Sequence, residues 1–316
     1  MVKQMKEKIN YFMGIDVSKD TLDIYYNEKH IKIKNETKLI SNFIKLEKLD
    51  SVTIKLCVLE STGGYEKLVM RLLQQAGVPV HRVHPNRVYS FAKTIRHFAK
   101  TDKLDSILLA KYARFVSDEQ SGDPIISPVC EHLQSLKAIE FDLEVHVQAN
   151  KNRLHHLDKK SSSYVKKQIN FAEKQLKAIR ADIDLLIDND DDLKHKRNIL
   201  ESYKGIGKKI SSVLLISLPE LGTITNKQIA SLIGVAPKTN ESGKKINKAH
   251  ISGGRFFVRK ALYMAALVAT RYNNNMKTFY DRLIANGKPP KIALVAVMRK
   301  IIICLNSMLK YNSFFA

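Results

Sequence analysis

The sequence predicts an α/β domain on a mixed sheet at the N-terminus, then a long helical arm, then a mostly helical and strongly basic C-terminal domain. Three observations carry this reading. The first 120 residues alternate strand-like and helix-like apolar patterns. From Val129 to Asn198 the chain has no Gly or Pro and spaces its apolar residues at helical intervals. Residues 201–316 hold 19 Lys and Arg against 4 Asp and Glu. The boundaries implied are 1–120, 121–198 and 199–316.

Within the first part, Tyr11–Val17 reads as a buried strand, and Thr21–Tyr26 and His30–Lys34 as strands with period-2 alternation. Leu39–Lys48 reads as a helix and Ser51–Glu60 as a strand rich in β-branched and aliphatic residues. Gly64–Ala76 is an amphipathic helix ended by Gly77, and Val78–Val83 is a short strand. Helices follow at Asn86–Phe98 and Thr101–Val116. Turn signals at Ser121-Gly122-Asp123-Pro124 and Ser127-Pro128 close this part.

The arm reads as two long helices with a bend at Ser161–Ser163, forming an antiparallel hairpin or an intermolecular coiled coil; a plain helical spacer fits equally well. The acidic run Asp188–Asp192 is expected to be a solvated helix end, because consecutive carboxylates rarely converge on one ion.

Composition narrows the function classes. The chain carries 53 Lys and Arg against 31 Asp and Glu, a formal charge of +22, which points to a polyanionic partner. A membrane is the weaker candidate. The N-terminus is polar, and Arg299 and Lys300 separate the apolar runs Ala293–Val297 and Ile301–Leu305, so no span of membrane length is expected. Cys57, Cys130 and Cys304 are far apart, with no CxxC pair, which fits a reducing cytoplasm.

Four carboxylates stand out. Asp16, in Gly14-Ile15-Asp16-Val17-Ser18-Lys19, is a charge in an otherwise apolar strand, where an unpaired carboxylate is costly. Glu60 repeats this at the end of Ile54–Leu59. Asp102 and Asp105 are three apart, which puts both on one helix face. Two strand-borne acids plus two helical ones suit Mg²⁺, with Mn²⁺ as an alternative, for phosphoryl transfer. Asp20 and Asp23 are competitors, with Asp23 expected at the surface of its hairpin.

The C-terminal part offers a different chemistry. Tyr203-Lys204-Gly205-Ile206-Gly207-Lys208-Lys209 joins two helical stretches, either as an ordinary tight turn or as a phosphate grip using Lys208 and Lys209. Ser252, in His250-Ile251-Ser252-Gly253-Gly254-Arg255, is either a helix N-cap or a functional hydroxyl. Gly253 and Gly254 would allow close backbone approach to a ligand. Arg255 and Arg259 offer bidentate phosphate contacts, and Lys19, Lys244, Lys245 and Lys260 complete the basic set.

These segments resemble the 110 family of insertion-sequence transposases, which includes the Piv-type DNA invertases. The resemblance rests on Gly14–Lys19, Glu60-Ser61-Thr62-Gly63-Gly64-Tyr65, Lys100–Asp105 and the run from Gly205 to Leu309, densest at Ile251–Arg255, Ala261–Ala266 and Lys291–Lys300. It implies an RNase H-like (RuvC-like) domain with a four-acid metal site at Asp16, Glu60, Asp102 and Asp105, a coiled-coil arm, and a C-terminal domain whose nucleophile is Ser252. Ser242 is the lesser alternative. It further implies donor and target DNA as substrates, a structured non-coding guide RNA, dimers that pair into a tetramer on DNA, and a cytoplasmic, nucleoid-associated prokaryotic protein. The rival is a junction resolvase that uses the same acids to activate water and is indifferent to Ser252.

Overall fold

The computed structural model describes residues 11–95, 101–120, 122–238, 241–242, 245–246 and 250–315, with backbone alone at 241–242 and 245–246. The chain divides into two compact units, Met1–Ile126 and Ser127–Ala316.

The first unit is built on five strands: β1 (Tyr11–Val17), β2 (Thr21–Tyr26), β3 (Lys29–Lys34), β4 (Ile54–Glu60) and β5 (Val80–Val83). The sheet order is β3-β2-β1-β4-β5, with the first three strands an antiparallel meander and β4 and β5 running parallel to β1. The hairpin between β2 and β3 closes through Asn27 and Glu28, both at positive φ, as a twisted two-residue turn requires. The helices are α1 (Thr37–Leu46), α2 (Glu66–Gln75), α3 (Pro85–Thr94) and α4 (Asp102–Val116). Met13, Ile15 and Val17 of β1 pack with Ile40 and Phe43 of α1 and Val69 and Leu73 of α2. Leu56 and Val58 of β4 pack on the other face with Val88 of α3 and Leu108 and Leu109 of α4. Strand alternation therefore sends Gly14 and Asp16 toward the α4 face.

Gly14 sets how closely α4 approaches. A Cβ there would overlap the carbonyl oxygen of Ser106 and the amide of Ala110, so helix backbone lies directly on strand backbone. Ser106 is fully buried at this crossing.

The second unit begins with α5 (Pro128–Leu154) and α6 (Lys159–Asp188). They run antiparallel. Glu140 pairs with Arg180 at 2.7 Å and Lys151 with Glu173 at 2.8 Å, while Val147, Val165, Ile169 and Leu176 fill the seam. The bend expected at Ser161–Ser163 lies earlier. Asp158 caps α6 by accepting from the amides of Lys160 and Ser161, so the three serines sit inside the helix.

Acids at the end of α6 and just after it take on structural tasks. Asp190 caps α7 (Asp191–Ser202), while Asp184 and Asp188 hold the buried guanidinium of Arg197 at 2.8 and 3.0 Å. Then come α8 (Lys208–Ser217), α9 (Asn226–Leu232), the two-residue strands β6 (Glu241–Ser242) and β7 (Lys245–Ile246), α10 (Phe256–Tyr272), α11 (Asn274–Ala285) and α12 (Pro290–Lys310). The apolar runs expected to be too short for a membrane join into α12, a single 21-residue helix long and apolar enough to cross one. Its Val297, Ile301, Ile302 and Leu305 are instead fully buried in the core with Leu262 and Ala266 of α10, so α12 is a core helix.

Gly14→Ala is expected to lower stability by about 3 kcal/mol, because α4 must lift from β1 to admit one methyl group. The denaturant midpoint measures this; an unchanged midpoint would contradict the close backbone packing.

Candidate metal centre and serine loop

Asp16 is the next-to-last residue of β1, and Glu60 ends β4. The parallel register pairs Ile15 with Leu59, so Asp16 and Glu60 come next to each other on neighbouring strands, on the face that α4 covers. Thr101 caps α4 through the amide of Leu104, which fixes Asp102 and Asp105 in the first helical turn. The crossing at Gly14 and Ser106 anchors that turn beside the strand ends.

The electrostatics record the nearness of Asp105, Asp102 and Asp23 to Asp16. Asp16 is half-buried, and its carboxyl is pushed up to about 6, first by burial and then by Asp105, Asp102 and Asp23. A hydrogen bond from the backbone of Val17 works in the opposite direction.

Asp23, expected at the surface, is buried at 5% exposure, because its antiparallel register sets it directly across from Asp16. Its carboxylate pairs with Lys32 at 3.0 Å and His30 at 3.2 Å, and Lys32 also reaches Asp102 at 3.7 Å. The signal was present in the sequence: Asp16 and Asp23 lie equally far from the centre of the Ser18–Thr21 turn. Glu66 was also missed. At 1% exposure it accepts from the amides of Thr62 and Gly64 and pairs with Arg82, which pins the loop that follows Glu60. Asp20 is exposed.

Among the described residues, no three His, Cys, Asp or Glu side chains stand close enough together to ligate one ion as they are. The donor set nevertheless fits a hard divalent cation. It is all oxygen, and the raised Asp16 is a carboxylate whose charged form lacks sufficient counter-charge.

The second unit holds Ser252. An antiparallel bridge between Lys238 and His250 closes the chain before it, with bonds of 2.9 and 3.2 Å. The N-cap of α10 is Arg255, with no side-chain cap bond, so Ser252 is not the helix cap. Its hydroxyl is half-buried and has no hydrogen-bond partner among the described residues.

Gly253 and Gly254 are both at positive φ, and a Cβ on Gly254 would overlap the backbone of Ile233 and Gly234. At Gly254 close approach serves the protein's own backbone, whereas a Cβ on Gly253 would meet nothing within 4 Å. Arg255 grips Glu220 with two 2.5 Å bonds and the carbonyl of Ser217 at 2.9 Å. Arg259 donates to the carbonyls of Gly253 and Ile233. Both arginines thus hold the serine loop in place.

Of the basic set, Lys19 and Lys208 are exposed, Lys209 pairs with Glu144 at 2.5 Å, and Lys260 lies over the Phe141 ring. Lys244 and the side chains of Ser242 and Lys245 lie outside the described residues.

Comparison with known proteins finds two family models along the chain, the first of which runs past Ile126 into α5 and α6. A transposase model, the DEDD domain of IS110 elements, matches residues 13–159, and one described as "Transposase IS116/IS110/IS902 family" matches residues 197–281. The pilin gene-inverting proteins of Moraxella bovis and Moraxella lacunata are each 27% identical over 95% of this chain and 96% of their own length. An uncharacterized 43.6 kDa protein of insertion element IS110 from Streptomyces coelicolor is 32% identical over 37% of this chain and 29% of its own. The DEDD match implies an RNase H-like fold for the first unit, in keeping with its mixed sheet, and the use of a divalent metal.

Because the folded state raises Asp16, ionisation of that group costs stability as pH climbs from about 4 through 6. In metal-free buffer at pH 7.5, Asp16→Asn is expected to stabilise the protein by about 1–2 kcal/mol, allowing for solvent screening, with the gain vanishing toward pH 4. Paired thermal melts across pH test this; a destabilised variant at pH 7.5 would sink it.

Proposed function

Since the chain belongs to the IS110 family of transposases, we propose that it cuts and rejoins donor and target DNA through a phosphoserine link made by Ser252, assisted by a divalent ion at Asp16, Glu60, Asp102 and Asp105. The observation that supports this most is the half-buried Asp16, raised by burial and by Asp105 and Asp102 of α4, with Glu60 following in register on the neighbouring strand.

The ion, Mg²⁺ or Mn²⁺, supplies Lewis-acid polarisation of phosphoryl oxygens and lowers the pKa of a bound hydroxyl. The Ser252 oxygen attacks phosphorus and gives up its proton. One P–O bond of the DNA breaks, and the departing sugar oxygen takes a proton, leaving an ester on the protein that conserves the bond for rejoining. The supports for Ser252 are its half-buried hydroxyl, without a partner among the described residues, and the fixed loop that carries it. Arg255 is held by Glu220 and Arg259 by the carbonyls of Gly253 and Ile233, so either would have to exchange a partner to reach a phosphate. Lys19, Lys208, Lys209 and Lys260, by contrast, are surface phosphate contacts, with Lys244 and Lys245 in the adjacent segment.

A structured non-coding RNA choosing the DNA partners fits a protein whose basic charge is concentrated in residues 201–316 and whose contacts need only read phosphate and shape. The α5/α6 hairpin serves as a coiled-coil arm for assembly into dimers, and a tetramer on DNA, in the prokaryotic cytoplasm at the nucleoid. The pilin gene-inverting relatives bear names that fit recombination between DNA sites.

The decisive assay is a denaturing gel for protein–DNA adducts, using the element's ends, its RNA and Mg²⁺. Adducts are expected from the wild type and are lost in both Ser252→Ala and Asp16→Ala. Cleavage without adducts, abolished only by Asp16→Ala, would establish a hydrolytic resolvase instead. Binding should also weaken steeply from 50 to 200 mM salt as counterions are released, and a flat titration would exclude nucleic acid as the basic surface's partner.

A further inference from the structure

The acid cluster contains a cation of its own. Asp23, at 5% exposure and directly across from Asp16, is a buried carboxylate that needs a counter-charge. Lys32 stands opposite it on β3 and supplies that charge at 3.0 Å. The same ammonium lies 3.7 Å from the carboxylate of Asp102 on the first turn of α4, linking the edge strand of the sheet to one of the four acids.

We propose that Lys32 is the resident counter-ion of this cluster: anchored on Asp23, it holds Asp102 in the metal-free protein and competes with a divalent ion for that carboxylate. This rests on the reading of Asp16, Glu60, Asp102 and Asp105 as ligands.

The physical case is one of charge and reach. Asp23 lies directly across from Asp16 and carries Lys32 at 3.0 Å, and Asp102, Asp105 and Asp23 each disfavour the charged form of Asp16. A single ammonium beside Asp102 relieves part of that repulsion. A dication arriving at Asp102 meets a like charge within a few ångströms, and the two cannot share the carboxylate without loss. Lys32 is half-exposed on an edge strand, and its flexible four-carbon stem allows the ammonium to withdraw to solvent or to a phosphate. The cluster is thereby kept intact without metal and open to it.

The test is Mn²⁺ titration of the full-length protein without DNA or RNA, with free Mn²⁺ followed by electron paramagnetic resonance. Lys32→Met and Lys32→Gln are both expected to bind Mn²⁺ about ten-fold more tightly than wild type, and Lys32→Arg, which keeps the charge, to match wild type. Gln can still donate to Asp23 and serves if Met disturbs the strand. Asp16→Asn should lose the binding. If Asp16→Asn loses it but neither neutral variant binds more tightly than wild type, Lys32 is not a competing counter-ion and the four-acid reading stands. If Asp16→Asn binds as well as wild type, the four-acid reading fails and this inference with it.

Discussion

The contact of α4 with β1 at Gly14 is the constraint on which the candidate metal centre depends. Two of the four acids ride on a strand pair and two on a helix far along the chain. Only backbone-to-backbone packing, possible where no Cβ intervenes, sets the first turn of α4 against the strand ends. Everything else there follows from alternation. Ile15 and Leu59 turn to one core, which leaves Asp16 and Glu60 on the face that receives the helix.

Gathering like charges has a cost, and the protein meets it locally. Burial and three neighbouring carboxylates lift Asp16, while Lys32 offsets Asp23. Glu66 contributes in another way, tying down the loop beyond Glu60 through two amides and so holding the end of β4. A site under such tension is ready for a cation and unstable in proportion. That is the usual relation between stability and function where charges are assembled for chemistry.

Much of this was legible in the sequence because it is written in short-range periodicity. The strands β1, β2 and β4, the capped start of α4 and the long helices of the arm all carry clear patterns. The acids announced themselves as charges interrupting apolar strands. What escaped was long-range pairing. Asp23 looks like a surface residue until its register with Asp16 is known, and Arg255 looks like a phosphate ligand until Glu220, 35 residues away, is seen to hold it. The bend of the arm was misplaced because Asp158, a better cap than a run of serines, starts the helix sooner. The interrupted apolar runs of α12 concealed one continuous core helix, because Arg299 and Lys300 fall on the side away from its buried stripe.

The bridge between Lys238 and His250 has a consequence for how such a protein can change. It closes off the chain between those residues much as a clasp closes a loop of cord, and Ser252 lies beyond the clasp. From there on, the serine's position is inherited from Gly234, Glu220 and the start of α10. A change of chain length between Lys238 and His250 would therefore leave the anchors of the hydroxyl untouched. A lineage of related proteins would be free to diversify that segment while inheriting the same chemistry.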